Sequence, residues 1–193
     1  MSLSSFQPIE KFPPPSLWPH FDMLAAISDE IINDYTDKYR LDNKIFTMIP
    51  NHIPANFISM SGIKQDWHKG IKNLAVLSNH YVGEIASLKD ISPFNIDYYG
   101  KQYSKPVLMT PEILLKYDAV ITIGKTVQYC MGLGIPVYEY DHFGGCGFIT
   151  LENFREEGKP TFQGVELAEN WSQRHFLIIL CKATRLRVAR LPD

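Results

Sequence analysis

Short apolar segments alternate along this chain with segments whose apolar residues recur at helical spacing. Strands are predicted where apolar, β-branched and aromatic residues follow one another, at 23–27, 45–49, 74–77, 96–99, 119–123 and 137–140. Helices are predicted between and after them, at about 28–39, 82–88, 110–117, 125–134 and 150–157. The repeated order of strand and helix predicts an α/β fold, with a Rossmann-like parallel sheet and flanking helices.

Three of the predicted helices carry specific signals at their ends. Ser28 is placed to cap the first helix with its hydroxyl. Thr110 offers a capping hydroxyl directly before Pro111, which suits the first helical position. Gly134, two residues before Pro136, ends the helix that is predicted to start at about residue 125. These signals fix helix boundaries more firmly than the apolar pattern does.

Two glycine-bearing segments at strand ends predict an anion-binding site. Gly124, Lys125 and Thr126 open a helix whose first turn offers unpaired backbone N–H groups, a positive charge and a hydroxyl. A second loop, after the next strand, would approach the same ligand through Gly144, Gly145 and Gly147. Such loops share the carboxyl edge of a parallel sheet, which favours a phosphate or diphosphate there. The alternative is a tight turn that needs its glycines only for positive φ angles.

Three familiar motifs are missing from the sequence. A Walker A loop would need glycine at Ala119, five residues before Gly124. A dinucleotide-binding G-x-G-x-x-G fails because Val137 stands at the position of its third glycine. The G-x-S-x-G elbow of Ser-His-acid hydrolases is not found either. A nucleotide triphosphatase, a dehydrogenase and a serine hydrolase are therefore disfavoured.

The composition is that of an ordinary globular protein, with 45% hydrophobic and 21% charged residues. A net charge of −2 argues against nucleic acid as a partner. The three cysteines form no C-x-x-C pair, the N-terminus shows no secretory pattern, and no apolar run reaches the ~18 residues of a membrane span. We therefore expect a cytoplasmic protein. The basic and apolar tail at 166–193 is predicted to be a helix packed on the sheet, with a peripheral membrane contact or an unordered tail as alternatives.

Polar side chains after two strands are further candidates for ligand contacts. Ser78, Asn79 and His80 follow the strand at 74–77, and His142 follows the strand at 137–140. A histidine at a strand end can donate to a phosphate or sugar oxygen, or can simply bond to the backbone of its loop. Zinc ligation by both histidines and Cys146 matches no standard ligand spacing, so no metal is expected. Glu139 and Asp141 are candidates for contacts with a ribose or a sugar hydroxyl.

The order of these segments resembles the fold-B (GT-B) glycosyltransferases of the retaining, family-4-like kind. MLAAISDEIINDYTDKYRLDNKIFTMIPNHI, at 23–53, resembles the end of their N-terminal domain. LAVLSNH stands where the donor domain has its first strand and phosphate-facing loop. The later donor-domain strands correspond to NIDYYG, PEILLKYDAVITIG and MGLGIPVYEYDHFGG. The resemblance covers about residues 23–154.

The chain also departs from this family. The two acidic residues that the family carries eight apart fall at Ile121 and Tyr129 when the segments are aligned on Gly134. The basic pair after the first donor-domain strand is replaced by Ser78-Asn79-His80-Tyr81. The resemblance also implies that the acceptor-binding half is missing. We therefore expect either a fragment or truncated relative of the family, or a partner chain or homo-oligomer that supplies the other half.

Five segments are expected along the chain, and the resemblance implies the identity of those at 20–54 and 71–165, as well as a reaction. The segments are a proline-rich extended arm at 1–19, the end of the N-terminal domain at 20–54, a linker at 55–70, a donor-binding domain at 71–165 and the tail at 166–193. The implied activity transfers a sugar from a nucleotide-diphosphate sugar, as substrate and without a cofactor, to a glycan or lipid-linked acceptor. Lys125 would take over the charge that stabilises the diphosphate. A sugar-nucleotide epimerase and a non-catalytic sugar-nucleotide-binding module are the alternatives.

Overall fold

The computed structural model describes residues 2–3, 17, 20–42, 45–63, 71–142, 144–150 and 153. These residues fall into two compact units, one that reaches His52 and one that starts at Ile53. Each unit contains its own sheet.

The first unit is a small parallel sheet with one helix. Its elements are β1 (Ser2–Leu3), β2 (Leu24–Ala26), α1 (Asp29–Tyr39) and β3 (Phe46–Met48), and the strand order is β1-β2-β3. The Ser28 hydroxyl accepts a hydrogen bond from the Ile31 N–H, as the predicted cap requires. Arg40 follows α1 as its C-cap, and its left-handed backbone (φ 54°) terminates the helix. Ile31 and Ala26 form the buried centre of this unit.

The second unit is built on a five-stranded sheet with helices on both faces. Its elements are α2 (Ala55–Ser59), β4 (Asn73–Leu77), α3 (Gly83–Ala86), α4 (Leu88–Ile91), β5 (Asn95–Tyr99), α5 (Pro111–Leu114), β6 (Ala119–Thr122), α6 (Lys125–Leu133), β7 (Val137–Asp141) and β8 (Gly144–Phe148). The strand order is β5-β4-β6-β7-β8. The first four strands are parallel, whereas β8 runs antiparallel to β7.

Both faces of this sheet are buried, which explains why its strands are apolar at successive positions. In β4, Ala75 and Leu77 contribute to one core cluster, with residues of α2, α5 and α6. Leu74 and Val76 contribute to the opposite cluster, with residues of α3 and α4. Because successive side chains of a strand point to opposite faces of the sheet, alternate apolar residues pack against the helices on the two faces.

The predicted α/β class is confirmed, with a mostly parallel sheet flanked by helices. The six predicted strands correspond to β2–β7, with ends that agree to within two residues, whereas β1 and β8 were not predicted. The structure also differs from the predictions in local detail. The helix expected at 82–88 is divided into α3 and α4 at Ser87, and α2 occupies part of the predicted linker at 55–70. The five residues of α2 are too few to show a helical period in the sequence.

Several predictions concern residues that the structure does not describe. The tail at 166–193 lies outside the described residues, as does nearly all of the helix predicted at 150–157. Of the predicted arm at 1–19, residues 2–3 are described as part of β1, and residue 17 is described as well. Within the described part of the chain, every helix is too short or too polar to cross a bilayer.

Candidate functional site

A cleft lies at the carboxyl edge of the second unit's sheet, where the strand order reverses. β5 lies on one side of β4, and β6 lies on the other side. The chain therefore leaves β4 and β6 in opposite directions, which opens the crevice in which α/β proteins commonly bind ligands. The cleft has a volume of about 280 Å³, and its polar lining consists mainly of Ser78, Asn79, His80, Thr122, Thr126 and Asp141.

The loop after β4 is held by hydrogen bonds to its neighbours. The Ser78 hydroxyl donates to Asp141 Oδ1 (2.9 Å) and accepts from the backbone N–H of His80 (2.9 Å). The side-chain oxygen of Asn79 accepts from the backbone N–H of Lys101 (3.2 Å). Ser78, Asn79 and His80 were all predicted to contact a ligand, and all three line the cleft. The loop therefore presents its side chains in a fixed arrangement.

Asp141, the last residue of β7, lies against two histidines. His80 Nδ1 is 2.9 Å from Asp141 Oδ2, and His142 Nδ1 is 3.6 Å from the same oxygen. The centroids of the two imidazole rings are 3.9 Å apart. The Asp141 side chain is 1% exposed, whereas those of His80 and His142 are 39% and 34% exposed. A buried carboxylate thus brings two accessible imidazoles together beside the cleft.

The contact with Asp141 determines which nitrogen of His80 remains for a ligand. An ionised carboxylate only accepts hydrogen bonds, so His80 Nδ1 carries the proton that is directed at Asp141. Nε2 is then the nitrogen left for a ligand. It accepts a hydrogen bond when the ring is neutral and donates one when the ring is protonated. His80 can therefore accept a hydrogen bond from a donor group of a ligand, or donate one to an anionic ligand.

The start of α6 forms another part of the cleft wall. Gly124 precedes the helix with φ 65° and ψ −140°, a conformation that favours glycine. Thr126 lines the cleft, as predicted for a ligand contact. Lys125 is exposed, and its Nζ lies 5.7 Å from the centroid of the Tyr129 ring on the next turn. The Lys125 ammonium therefore packs along the helix and does not line the cleft.

The three glycines after β7 form a strand, where a ligand-binding loop was predicted. β8 pairs with β7, and Gly144 and Gly147 take positive φ angles of 90° and 86° within it. A Cβ on Gly145 would lie 1.9 Å from the Glu139 carbonyl oxygen. Close strand pairing therefore explains these glycines. Among the described residues that line the cleft, none of the three is found.

Asp141 and Gly100 line the cleft, although the sequence did not assign either of them to phosphate binding. Asp141 was considered only for a ribose or a sugar hydroxyl, because its contacts with Ser78 and His80 depend on the order of the strands. Gly100 follows β5 with φ 129°, and a Cβ there would lie 1.8 Å from the Ser78 carbonyl oxygen. A glycine directly after a predicted strand was the available signal in the sequence. Its role is to allow the ends of β5 and β4 to approach closely.

Hydrogen-bonded tyrosines support the wall of the cleft near β5. Tyr99 lines the cleft, and its hydroxyl bonds to that of Tyr117. Tyr117 in turn donates to Asp97 Oδ2 (2.7 Å). Burial, followed by the hydrogen bond to Asp97, raises the pKa of Tyr117 above its ordinary value. Tyr117 therefore stays protonated and holds Tyr99 in place.

No known family model matches this sequence, and no curated protein is significantly similar to it. The cleft combines a helix start and hydroxyl, amide and imidazole groups, next to a buried carboxylate. Such a set of groups suits a ligand with anionic oxygens and hydroxyls.

Proposed function

We propose that the second unit binds the diphosphate of a nucleotide sugar, as the donor domain of a glycosyltransferase with the GT-B fold. One observation carries this proposal: polar groups from three strand ends converge on a cleft at the reversal point of a parallel sheet. Nucleotide phosphates commonly bind at this place in α/β folds, at the start of a helix. The order of elements from β4 to β7 is also the order that the resemblance to this family implies.

The groups around the cleft match what a diphosphate needs. The first turn of α6 supplies backbone N–H donors and the positive end of the helix dipole, worth about 0.3–1 kcal/mol for an anion. Thr126 adds a hydroxyl from the same turn, and Asn79 adds an amide from the opposite loop. A protonated His80 would donate through Nε2 while Asp141 balances its charge. A volume of about 280 Å³ suits the diphosphate and part of a sugar, with the rest of the donor at the open side.

The proposed reaction is transfer of the sugar to a glycan or lipid-linked acceptor. The bond between the anomeric carbon and the diphosphate oxygen breaks, and a bond from that carbon to the acceptor hydroxyl forms. The acceptor proton leaves with a base, while negative charge accumulates on the departing diphosphate. Donors that already face that oxygen stabilise the transition state without reorganisation. Lys125 adds a positive charge on the same helical turn.

Calorimetric titration of the full chain with UDP, GDP, ADP and CMP, each against its nucleoside, tests the proposal. We expect at least one nucleoside diphosphate to bind and its nucleoside to bind far more weakly, because the cleft groups serve phosphate. Thr126→Val should weaken that binding by about 0.5–1.5 kcal/mol, the usual worth of one hydrogen bond. Thr47→Val, at an exposed threonine of the first unit, is the matched control. Equal affinity for the diphosphate and its nucleoside would refute the proposal.

A further inference from the structure

Two histidines and one aspartate beside the cleft form a set of metal-ligand atoms. We infer that His80, Asp141 and His142 bind a divalent transition-metal ion, in a site that their spacing along the sequence does not reveal. Their ligand atoms all lie within 4.8 Å of one another. His80 comes from the end of β4, whereas Asp141 and His142 come from the end of β7. The site therefore exists only in the folded sheet.

The distances between these atoms suit coordination to one ion. Bonds of about 2.0–2.2 Å from a metal to nitrogen and oxygen put neighbouring ligand atoms about 3.0–3.5 Å apart at tetrahedral or octahedral angles. The two Nδ1 atoms lie 2.9 and 3.6 Å from the same oxygen, Asp141 Oδ2. At 3.6 Å, His142 is beyond hydrogen-bond distance from Asp141, yet it is close enough to share an ion with it. To bind an ion through Nδ1, His80 would move its proton from Nδ1 to Nε2, and the 2.9 Å contact with Asp141 would lengthen slightly.

The ligand types indicate which ions the site would accept. Two imidazole nitrogens and one carboxylate oxygen suit Zn²⁺, Co²⁺, Fe²⁺ or Ni²⁺. Mg²⁺ and Ca²⁺ prefer oxygen ligands throughout, so they should compete poorly. Three protein ligands also leave at least one coordination position open, the arrangement of catalytic and substrate-binding metal sites.

A second observation supports the site, because the carboxylate is already held by an outer partner. The Ser78 hydroxyl donates to Asp141 Oδ1 (2.9 Å), which leaves Oδ2 directed at both histidines. Ser78 also accepts from the His80 backbone N–H (2.9 Å), so one residue positions two ligands. Outer partners of this kind are a regular feature of metal sites.

The earlier expectation of no metal was based on a different set of ligands. The sequence pattern placed Cys146 with the two histidines, and that combination matches no standard spacing. In the structure, Cys146 Sγ lies 3.2 Å from Glu139 Oε2, and Asp141 takes the third position beside the histidines. The acid one residue before His142 is therefore the ligand that the spacing rules did not include.

Titration of Zn²⁺ into the untagged full chain, after treatment with a chelator, tests the site. We expect one Zn²⁺ per chain, which equal Mg²⁺ does not displace. Co²⁺ alone should bind with a visible absorption band that added Zn²⁺ abolishes. His80→Ala and His142→Ala should each weaken Zn²⁺ binding at least about tenfold, and Ser78→Ala about 10–100-fold through Asp141. His52→Ala removes an exposed histidine elsewhere and should change nothing.

The result that would overturn the site is equal Zn²⁺ affinity in wild type, His80→Ala and His142→Ala, or no Zn²⁺ binding by the wild type. Circular dichroism verifies that each variant is folded. Ser78→Ala keeps the test decisive if a histidine variant fails to fold, because it leaves all three ligands in place. Unchanged Zn²⁺ affinity in a folded Ser78→Ala protein would likewise contradict the geometry.

One consequence rests on the proposed function, because His80 and Asp141 also line the cleft. An ion there would turn its open positions towards the bound diphosphate, so Zn²⁺ should strengthen UDP binding in wild type and not in His142→Ala. The two ideas fail separately. If Zn²⁺ binds but no nucleoside diphosphate does, the proposed function is wrong and the metal site stands. If UDP binds but Zn²⁺ does not, only the metal site is wrong.

Discussion

Replacing Gly100 by alanine tests whether the cleft depends on the close approach of β5 to the loop after β4. Gly100 has φ 129° and ψ 174°, a region that is almost confined to glycine. An added Cβ would lie 1.8 Å from the Ser78 carbonyl oxygen and 2.7 Å from the Ser78 carbonyl carbon. Backbone atoms cannot yield as a flexible side chain can. The substitution must therefore move the end of β5 or the Ser78 loop.

Alanine substitutions at three glycines separate the cost of an unfavourable backbone conformation from the cost of the steric clash. Gly124 also has a positive φ (65°), but a Cβ there meets nothing within 4 Å. Gly124→Ala should therefore lower the free energy of unfolding by the backbone cost alone, about 1–3 kcal/mol. Gly100→Ala should add the cost of overpacking, about 1–3 kcal/mol more. Gly83 has neither feature, so Gly83→Ala should be neutral or stabilise by about 0.4–1 kcal/mol.

Urea unfolding of the three variants, followed by circular dichroism, measures the series. We expect Gly83→Ala to be the most stable of the three variants, Gly124→Ala to be less stable and Gly100→Ala to be the least stable. Because Ser78 holds Asp141 and His80, the folded fraction of Gly100→Ala should also lose ligand affinity. Equal stability of Gly100→Ala and Gly124→Ala would show that β5 and the Ser78 loop do not meet closely.

Two further predictions concern the core of the second unit. Tyr117→Phe should lower the free energy of unfolding by about 1–2 kcal/mol, because it removes the bonds to Tyr99 and Asp97; an unchanged urea midpoint would contradict this. Burial raises the pKa of the Cys130 thiol, so less thiolate forms there. Iodoacetamide at pH 8 should therefore alkylate Cys146 well before Cys130 in peptide-resolved mass spectrometry, and equal rates would contradict that burial.

The parts of the fold that could be predicted are those that local sequence determines. Apolar runs predicted β4, β6 and β7, because strands covered on both faces are apolar throughout. The signals at Ser28 and Gly134 predicted the start of α1 and the end of α6, because each satisfies backbone groups of its own helix. The resemblance to glycosyltransferases stays a prediction.

The parts that could not be predicted depend on pairing between distant segments. β8 contains three glycines, and glycine disfavours strands, so the segment is typical of a loop. Its pairing with β7 overrides that preference. The contact of His80 with Asp141 requires the carboxyl ends of β4 and β7 to lie close together at the same edge of the sheet. No local sequence pattern predicts the strand order that brings them there. The direction of the Lys125 side chain, along α6 towards Tyr129, could not be predicted either, because helix periodicity does not determine where a long exposed side chain extends.

Hydrogen exchange with and without saturating UDP tests the central claim most directly, since it locates the ligand. If a diphosphate binds at the carboxyl edge, UDP should slow the exchange of backbone amides at 78–80 and 124–127, and uridine should not. The amides of Lys72 and Asn73, which donate to Asp118 Oδ2 (2.9 and 2.8 Å) at the opposite edge, provide an internal reference. They should exchange at the same rate in both samples. Protection confined to other segments, or equal protection by uridine, would contradict the account.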